Sequence, residues 1–202
     1  MRALAAPRHT CDNPDWYTPG PILDRVRQVL GTIDLDPASD ETANQLVRAT
    51  RYYTEAEDGL KQPWAGRVFV NPPGRWAKLF WRKLVTAYLA GAVEEAIWIG
   101  YSLEQLQTFQ HQPARITPLG AAALCIPRTR IHFLENAAMR AERLRRIDAI
   151  NQTRRARGDL LRPRRMEADA PTHGNYLAYL GLRTGVFHEA CRTLGQVVVL
   201  PR

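Results

Sequence analysis

Cysteine is scarce in this 202-residue chain. Cys11, Cys125 and Cys191 are odd in number and scattered, with no C-x-x-C pair, which argues against a disulfide framework or a thiolate zinc site and suits a reducing compartment. His9, His111, His132, His173 and His188 form no H-x-x-x-H pair, so each is expected at the surface or in the core and no metal is implied. Long apolar runs are missing as well. Residues 1–11 hold arginines and only a short Ala/Leu run, too brief for a signal-peptide core or a membrane span, so a soluble, cytoplasmic protein without membrane contact is expected. No internal repeat is present.

Acidic residues are thin in one place. Between Ala137 and Arg165 ten Arg (Arg140, Arg143, Arg145, Arg146, Arg154, Arg155, Arg157, Arg162, Arg164 and Arg165) face only Glu142, Asp148 and Asp159, so seven of the eight net positive charges sit there. A merely solubilising surface would not require such concentration. With a pI near 9.9, the stretch points to a polyanionic partner such as nucleic acid, the alternative being a solvated face. At 45% hydrophobic and 24% charged, the chain suffices for one globular domain with a sizeable core. One domain over residues 1–202 is expected, with residues 1–14 irregular and a basic insert at about 137–168.

Helical spacing marks Ile22, Leu23, Val26, Val29 and Leu30, with Gly31 as terminator, and a second face of Trp76, Leu79, Phe80, Leu84 and Tyr88. Strands are predicted at 33–36, 67–70, 96–100, 121–126, 175–180 and 196–200, and Arg128 to Phe133 reads as the start of another. Ser102 to Gln105 has capping-box spacing and opens a helix through Phe109. Residues 139–150 read as helix, 153–167 as loop, and 186–194 as a short helix. This strand and helix alternation predicts an α/β fold with a parallel sheet.

One stretch organises the rest. Val68-Phe69-Val70 reads as a buried strand that Asn71-Pro72-Pro73 must end, because Pro fixes φ and lacks an N–H. The polar group is delivered at the carboxyl end of a strand, where open α/β sheets bind ligands. Two prolines stiffen the turn, so the Asn71 amide oxygen and the Pro72 carbonyl are expected as neighbouring acceptors aimed at one point. That pair suits an amino group with two N–H donors. Accepting both protons of an exocyclic base amine favours the tetrahedral nitrogen that attacks a methyl sulfonium. A plain strand-terminating turn is the alternative. Asp36-Pro37-Ala38-Ser39 closes an earlier strand with a carboxylate, suited either to cofactor hydroxyls and amines or to capping the next helix.

The order Trp-Tyr-Thr-Pro, Asp-Leu-Asp-Pro-Ala-Ser, Tyr-Tyr-Thr, Asp-Gly-Leu, Trp-x-Gly and Asn-Pro-Pro resembles the phage-type DNA N6-adenine methyltransferases, the Dam-like family. The likeness runs from Asp15 to Gln107 and more loosely from Arg130 to Gly181, through Arg-x-x-Phe and Pro171-Thr172-His173-Gly174-Asn175. It implies a Rossmann-like S-adenosylmethionine-dependent methyltransferase sheet with helices on both faces, acting on adenine N6 in double-stranded DNA. It also implies a phage or prophage protein working in a bacterial host. Carried over, Tyr17, Thr18 and Pro19 look like the segment flanking the cofactor methionine, and Asp36, Pro37, Ala38 and Ser39 like the cofactor loop. Asp58 resembles the acid near the cofactor adenine, and Asn71, Pro72 and Pro73 the catalytic motif, with Asn71 also at the cofactor.

Two departures accompany the resemblance. No Gly-x-Gly follows the first strand, and position 74 is Gly where many amino methyltransferases carry an aromatic that stacks on the flipped base. Trp76 or Tyr101 is a substitute, packing in a helix face being the alternative for Trp76. Arg128, Arg130, Arg143, Arg146, Arg154, Arg155 and Arg157, with Trp76, are the expected DNA contacts, through phosphates and guanine edges. Cytosine N4 or an RNA base as target, and a DNA-binding protein that has lost catalysis, stay open.

Overall fold

The computed structural model describes residues 16–110, 122–135, 137–165 and 174–200. The lead-in over 1–14, the end of the basic insert over 166–168 and Pro171-Thr172-His173 lie outside them. The first strand, β1 (Trp16–Tyr17), runs into α1 (Gly20–Leu30), whose N-terminal N–H groups at Ile22 and Leu23 donate to the Pro19 carbonyl. The expected apolar stripe of α1 is fully buried, and Gly31, at φ 77°, closes the helix with its N–H on the Arg27 carbonyl.

Short strands β2 (Leu35–Asp36) and β3 (Arg51–Tyr52) flank α2 (Glu41–Val47). Asp40 caps that helix, its Oδ1 accepting from the Ala43 N–H at 2.7 Å, which leaves Asp36 for other work. β4 (Gly66–Val70) ends at Asn71, and one 3-10 turn (Gly74–Trp76) leads into α3 (Ala77–Leu89) and then β5 (Val93–Gly100). There follow α4 (Leu103–Gln110), β6 (Ala123–Pro127), β7 (Leu134–Glu135), α5 (Ala137–Arg157), β8 (Tyr176–Leu180), α6 (Thr184–Cys191) and β9 (Gly195–Val199).

The main sheet has seven strands in the order β3-β2-β4-β5-β8-β6-β9. β3, β2, β4 and β5 are parallel, whereas β8 is antiparallel to both β5 and β6, and β9 to β6. The sheet is therefore mixed, not wholly parallel as predicted. A continuous apolar strand reports burial on both faces and carries no information about direction.

Register sorts the core into two layers. Phe69, Ile97, Tyr179 and Ala123 align across four strands and pack on one face against α1 and α6. Val70, Trp98, Ala178 and Leu124 align on the other, against α3 and Phe109 of α4. Helices thus cover both faces. Trp81, Trp98 and Phe109 form a cluster with centroids 5.1–6.1 Å apart, each pair adding roughly 0.5–1.5 kcal/mol beyond burial. The buried face of α3 is Ala77, Phe80, Trp81, Leu84 and Val85. Trp76 and Leu79, expected in that face, are 45% and 44% exposed. The apolar pattern of this helix is broad enough to admit a face rotated by one residue.

Among the described residues, β1, β7 and α5 stand apart from the main sheet and the helices packed on it. β1 pairs with β7 as a separate antiparallel ribbon, Trp16 opposite Glu135 and Tyr17 opposite Leu134. Arg128 to Phe133, expected to begin a strand, are not in one, and pairing starts only at Leu134. Helix α5 runs through Arg157, past the loop expected from Thr153, because 154–157 have good helix formers and no breaker precedes Gly158 at φ 70°. The chain then folds back along the helix. Arg154 donates to the Leu160 carbonyl at 2.6 Å, Asn151 exchanges hydrogen bonds with the Arg162 backbone, and Arg164 pairs with Asp148 at 3.1 Å. The basic insert is a solvated helical finger.

Candidate active site

The carboxyl ends of β2, β3, β4 and β5 meet at one edge of the parallel half-sheet. After β2 the chain turns through Asp36-Pro37-Ala38-Ser39, and the Asp36 carboxylate accepts from the Ala38 N–H at 3.2 Å. Asp36 is only 3% exposed, and burial pushes its carboxyl up to about 7. Backbone bonds from Tyr53 N–H to the Asp36 carbonyl and from Ser39 N–H to the Tyr53 carbonyl, each 3.0 Å, fasten this turn to the end of β3.

A second loop is pinned beneath it. The Tyr53 hydroxyl donates to the Pro63 carbonyl at 3.2 Å, and the Trp64 indole N–H to the Gly59 carbonyl at 2.8 Å. Gly59 lies so close to Pro37 that a Cβ there would sit 1.9 Å from the Pro37 carbonyl oxygen, which explains the Asp-Gly-Leu motif. Asp58, at φ 54°, faces Lys61, whose ammonium 3.0 Å away holds the carboxyl below its usual range. Lys83 donates to the Leu60 and Gln62 carbonyls and lies over the Trp64 ring.

Asn71 is held from both ends. Its Nδ2 donates to the Trp16 carbonyl at 3.2 Å and to Thr18 Oγ1 at 3.1 Å, which turns Oδ1 the other way. There the Tyr101 hydroxyl lies 2.9 Å from Oδ1 and also donates to the Pro72 carbonyl. One hydroxyl thus touches both acceptors, so the Asn71 and Pro72 oxygens converge on a single point.

These loops enclose a cleft of about 1070 Å³, ample for a nucleoside-sized ligand. Tyr17, Thr18, Asp36, Pro37, Ala38, Ser39, Asp58, Asn71, Pro73 and Trp76 all line it. Pro19 instead starts α1, and Pro72 is buried behind Asn71. Acidic groups (Asp36, Asp40, Glu55, Asp58) outnumber the basic Lys61 and Arg75 in the lining, a charge balance suited to a cationic ligand. Trp16, Tyr53, Trp64 and Gly59 are scaffold residues whose roles the sequence showed only as motif members.

The arginines are distributed differently. Arg143 grips the Glu135 carboxylate with two bonds of 2.7 and 2.9 Å, and Arg146 lies 4.0 Å from Glu142. Glu135, which no motif flagged, has a side chain 5% exposed, and it bolts the base of the finger to the β1–β7 ribbon. Arg128, Arg130, Arg155 and Arg157 are exposed.

Among the described residues no group of three His, Cys, Asp or Glu is placed to hold a metal ion, and no helix is long and apolar enough to cross a membrane. No curated protein and no solved structure matches the chain. A family model described as DNA N-6-adenine-methyltransferase (Dam) matches residues 7–112, just over half of the 202 residues and the part that contains the whole cleft. The chain therefore belongs to the DNA N-6-adenine-methyltransferase family.

Proposed function

We propose that this chain transfers the methyl group of S-adenosylmethionine to the N6 amine of adenine in duplex DNA, after the base is flipped from the helix. The observation that carries the proposal is the convergence of the Asn71 and Pro72 oxygens on one donor. Two fixed acceptors a few ångströms apart match the two protons of an exocyclic amine and draw its lone pair out of conjugation.

The cleft fits the cofactor by volume and by donor set. Asp36, buried and with a raised pKa, gains most from a cation or hydroxyl pair beside it, and Asp58 lies on the neighbouring loop. Tyr17 and Thr18 line the wall next to Asn71. When bound, S-adenosylmethionine would supply an electrophilic methyl carbon for the amine nitrogen, with its thioether sulfur as leaving group. Asn71 and the Pro72 carbonyl orient the amine for that attack, and its extra proton leaves to water afterwards. A Rossmann-like reading of the fold rests on the parallel half β3-β2-β4-β5, with its acids and amide at the carboxyl ends.

Within a duplex the amine is out of reach, so the target base must be extruded. The finger and the Arg128–Arg130 segment supply phosphate contacts, with affinity falling steeply in salt. Trp76 is exposed at the cleft with the Arg75 guanidinium 5.6 Å from its ring, which supports its assignment to DNA or flipped-base contact.

The test is transfer of labelled methyl from S-adenosylmethionine to unmethylated duplex DNA, followed by digestion and nucleoside mass analysis. N6-methyladenine is the expected product. Asn71→Ala is expected to lower kcat by about a hundredfold or more while cofactor binding persists. N4-methylcytosine as sole product would move the target, and unchanged turnover in the variant would refute the role of Asn71.

A further inference from the structure

The acceptor pair is occupied by a group of the chain itself. Tyr101 follows β5 directly, and its hydroxyl lies on both Asn71 Oδ1, at 2.9 Å, and the Pro72 carbonyl oxygen. Its backbone is held independently, the Tyr101 N–H donating to Gln105 Oε1 in the first turn of α4 at 2.9 Å. The ring is half-buried, 6.2 Å from Phe133. A rotamer change at Tyr101 would therefore uncover both acceptors without moving β5 or α4.

Donor counting sets the direction of exchange. A hydroxyl brings one proton to two acceptors, which must share it, whereas an exocyclic amine brings two. A keto oxygen brings none and would face two acceptors with a third. We propose that Tyr101 is a gate on the base site: its hydroxyl stands where the target amine binds and is displaced by an amine but not by a keto group. This inference rests on the reading of Asn71 and Pro72 as the amine site. The gate opposes every entrant, so it acts on base entry and not on methyl transfer, and its signature is a change in KM at constant kcat.

The experiment compares the wild type with Tyr101→Phe, which keeps the ring and removes the hydroxyl. On unmethylated plasmid DNA, kcat/KM is expected to rise about fivefold, the worth of one net hydrogen bond, with kcat within about twofold. In NMR titrations without DNA, 2′-deoxyadenosine is expected to bind the variant about fivefold more tightly. In the wild type alone, the assigned ε-carbon signal of ¹³C-labelled Tyr101 is expected to shift with 2′-deoxyadenosine and stay in place with 2′-deoxyinosine, so the gate is decided even if the variant folds poorly. An unmoved Tyr101 signal under saturating deoxyadenosine, or kcat/KM unchanged or lowered in the variant, overturns the gate. If the wild type methylates no DNA yet deoxyadenosine displaces Tyr101, the proposed function fails and the gate stands; DNA methylation with an unmoved Tyr101 gives the reverse.

Discussion

Replacing Asp36 with Asn is expected to stabilise the fold while weakening cofactor binding. The two side chains are nearly isosteric, and Asn keeps an oxygen for the Ala38 N–H. Burial raises the Asp36 carboxyl from 3.8 to about 7, so between those values the folded chain holds a proton that the unfolded chain has released. Unfolding free energy therefore falls as pH climbs from about 4 to about 7 and levels off above. The full difference is on the order of 4 kcal/mol, from roughly 1.4 kcal/mol per pH unit. Asn has no such slope. Thermal unfolding of the two proteins should converge near pH 4 and separate by roughly 8–16 °C at pH 8, the variant melting higher.

Cofactor affinity should move oppositely. A cation or hydroxyl pair on the cofactor favours the carboxylate, so wild-type affinity for S-adenosylmethionine should rise with pH up to about 7 and then level off. In Asp36→Asn that rise should vanish and affinity at pH 8 should fall at least about tenfold, the loss of one charge-assisted hydrogen bond. Calorimetric titration across pH 5.5–8.5 measures both. Equal melting temperatures at pH 8 would refute the perturbed carboxyl, and undiminished affinity with an unchanged pH profile would refute its contact with cofactor.

Gly59→Ala places a methyl carbon against the Pro37 carbonyl, which backbone cannot absorb cheaply; a loss of roughly 1–3 kcal/mol in denaturant unfolding is expected, with cofactor binding impaired because both loops line the cleft. Glu135→Ala leaves Arg143 without its carboxylate at the base of the finger, so faster proteolysis within α5 and weaker DNA binding are expected, with cleavage at the wild-type rate as the refuting outcome. Arg155 and Arg157 are exposed near the far end of α5, and replacing both with Ala should lower the slope of log affinity against log salt by about 2 for duplex DNA if both sit at phosphates. An unchanged slope would place the DNA elsewhere.

Much of the site was legible because its residues sit at strand ends. Pro37 stops a run alternating apolar and acidic residues and Pro72-Pro73 stop an apolar one, each at a definite position, so Asp36 and Asn71 could be assigned to strand termini from local chemistry alone. Helix α1 was readable for the same reason, its five apolar residues and terminal Gly31 all agreeing. Direction was not. β8 is a fully buried apolar run, β6 is buried over Ala123–Cys125, and β9 at the sheet edge leaves Val198 and Val199 exposed; all three sequences suit either orientation, and only the register of β8 against β5 and β6 shows it antiparallel to both neighbours. The frame of α3 slipped because its aromatics are spaced to satisfy two adjacent faces, and tertiary packing chose Trp81 over Leu79.

What the sequence concealed most completely was the identity of partners. Asn71 could be placed, but nothing local to it names Trp16, Thr18 or Tyr101, which lie 55, 53 and 30 positions away. Those partners decide what the amide can do. Two acceptors on the Nδ2 side, one a strand carbonyl and one a buried hydroxyl, leave the amide a single favourable orientation, with its oxygen beside the Pro72 carbonyl. The same strand residue that accepts from Asn71, Trp16, is opposite Glu135, which anchors the basic finger through Arg143. Amide orientation and finger placement thus share one short ribbon. A motif of three residues supplies the acceptors, but their alignment is set by elements gathered from Trp16 to Arg143, and that is why the motif alone remained compatible with an ordinary strand-ending turn.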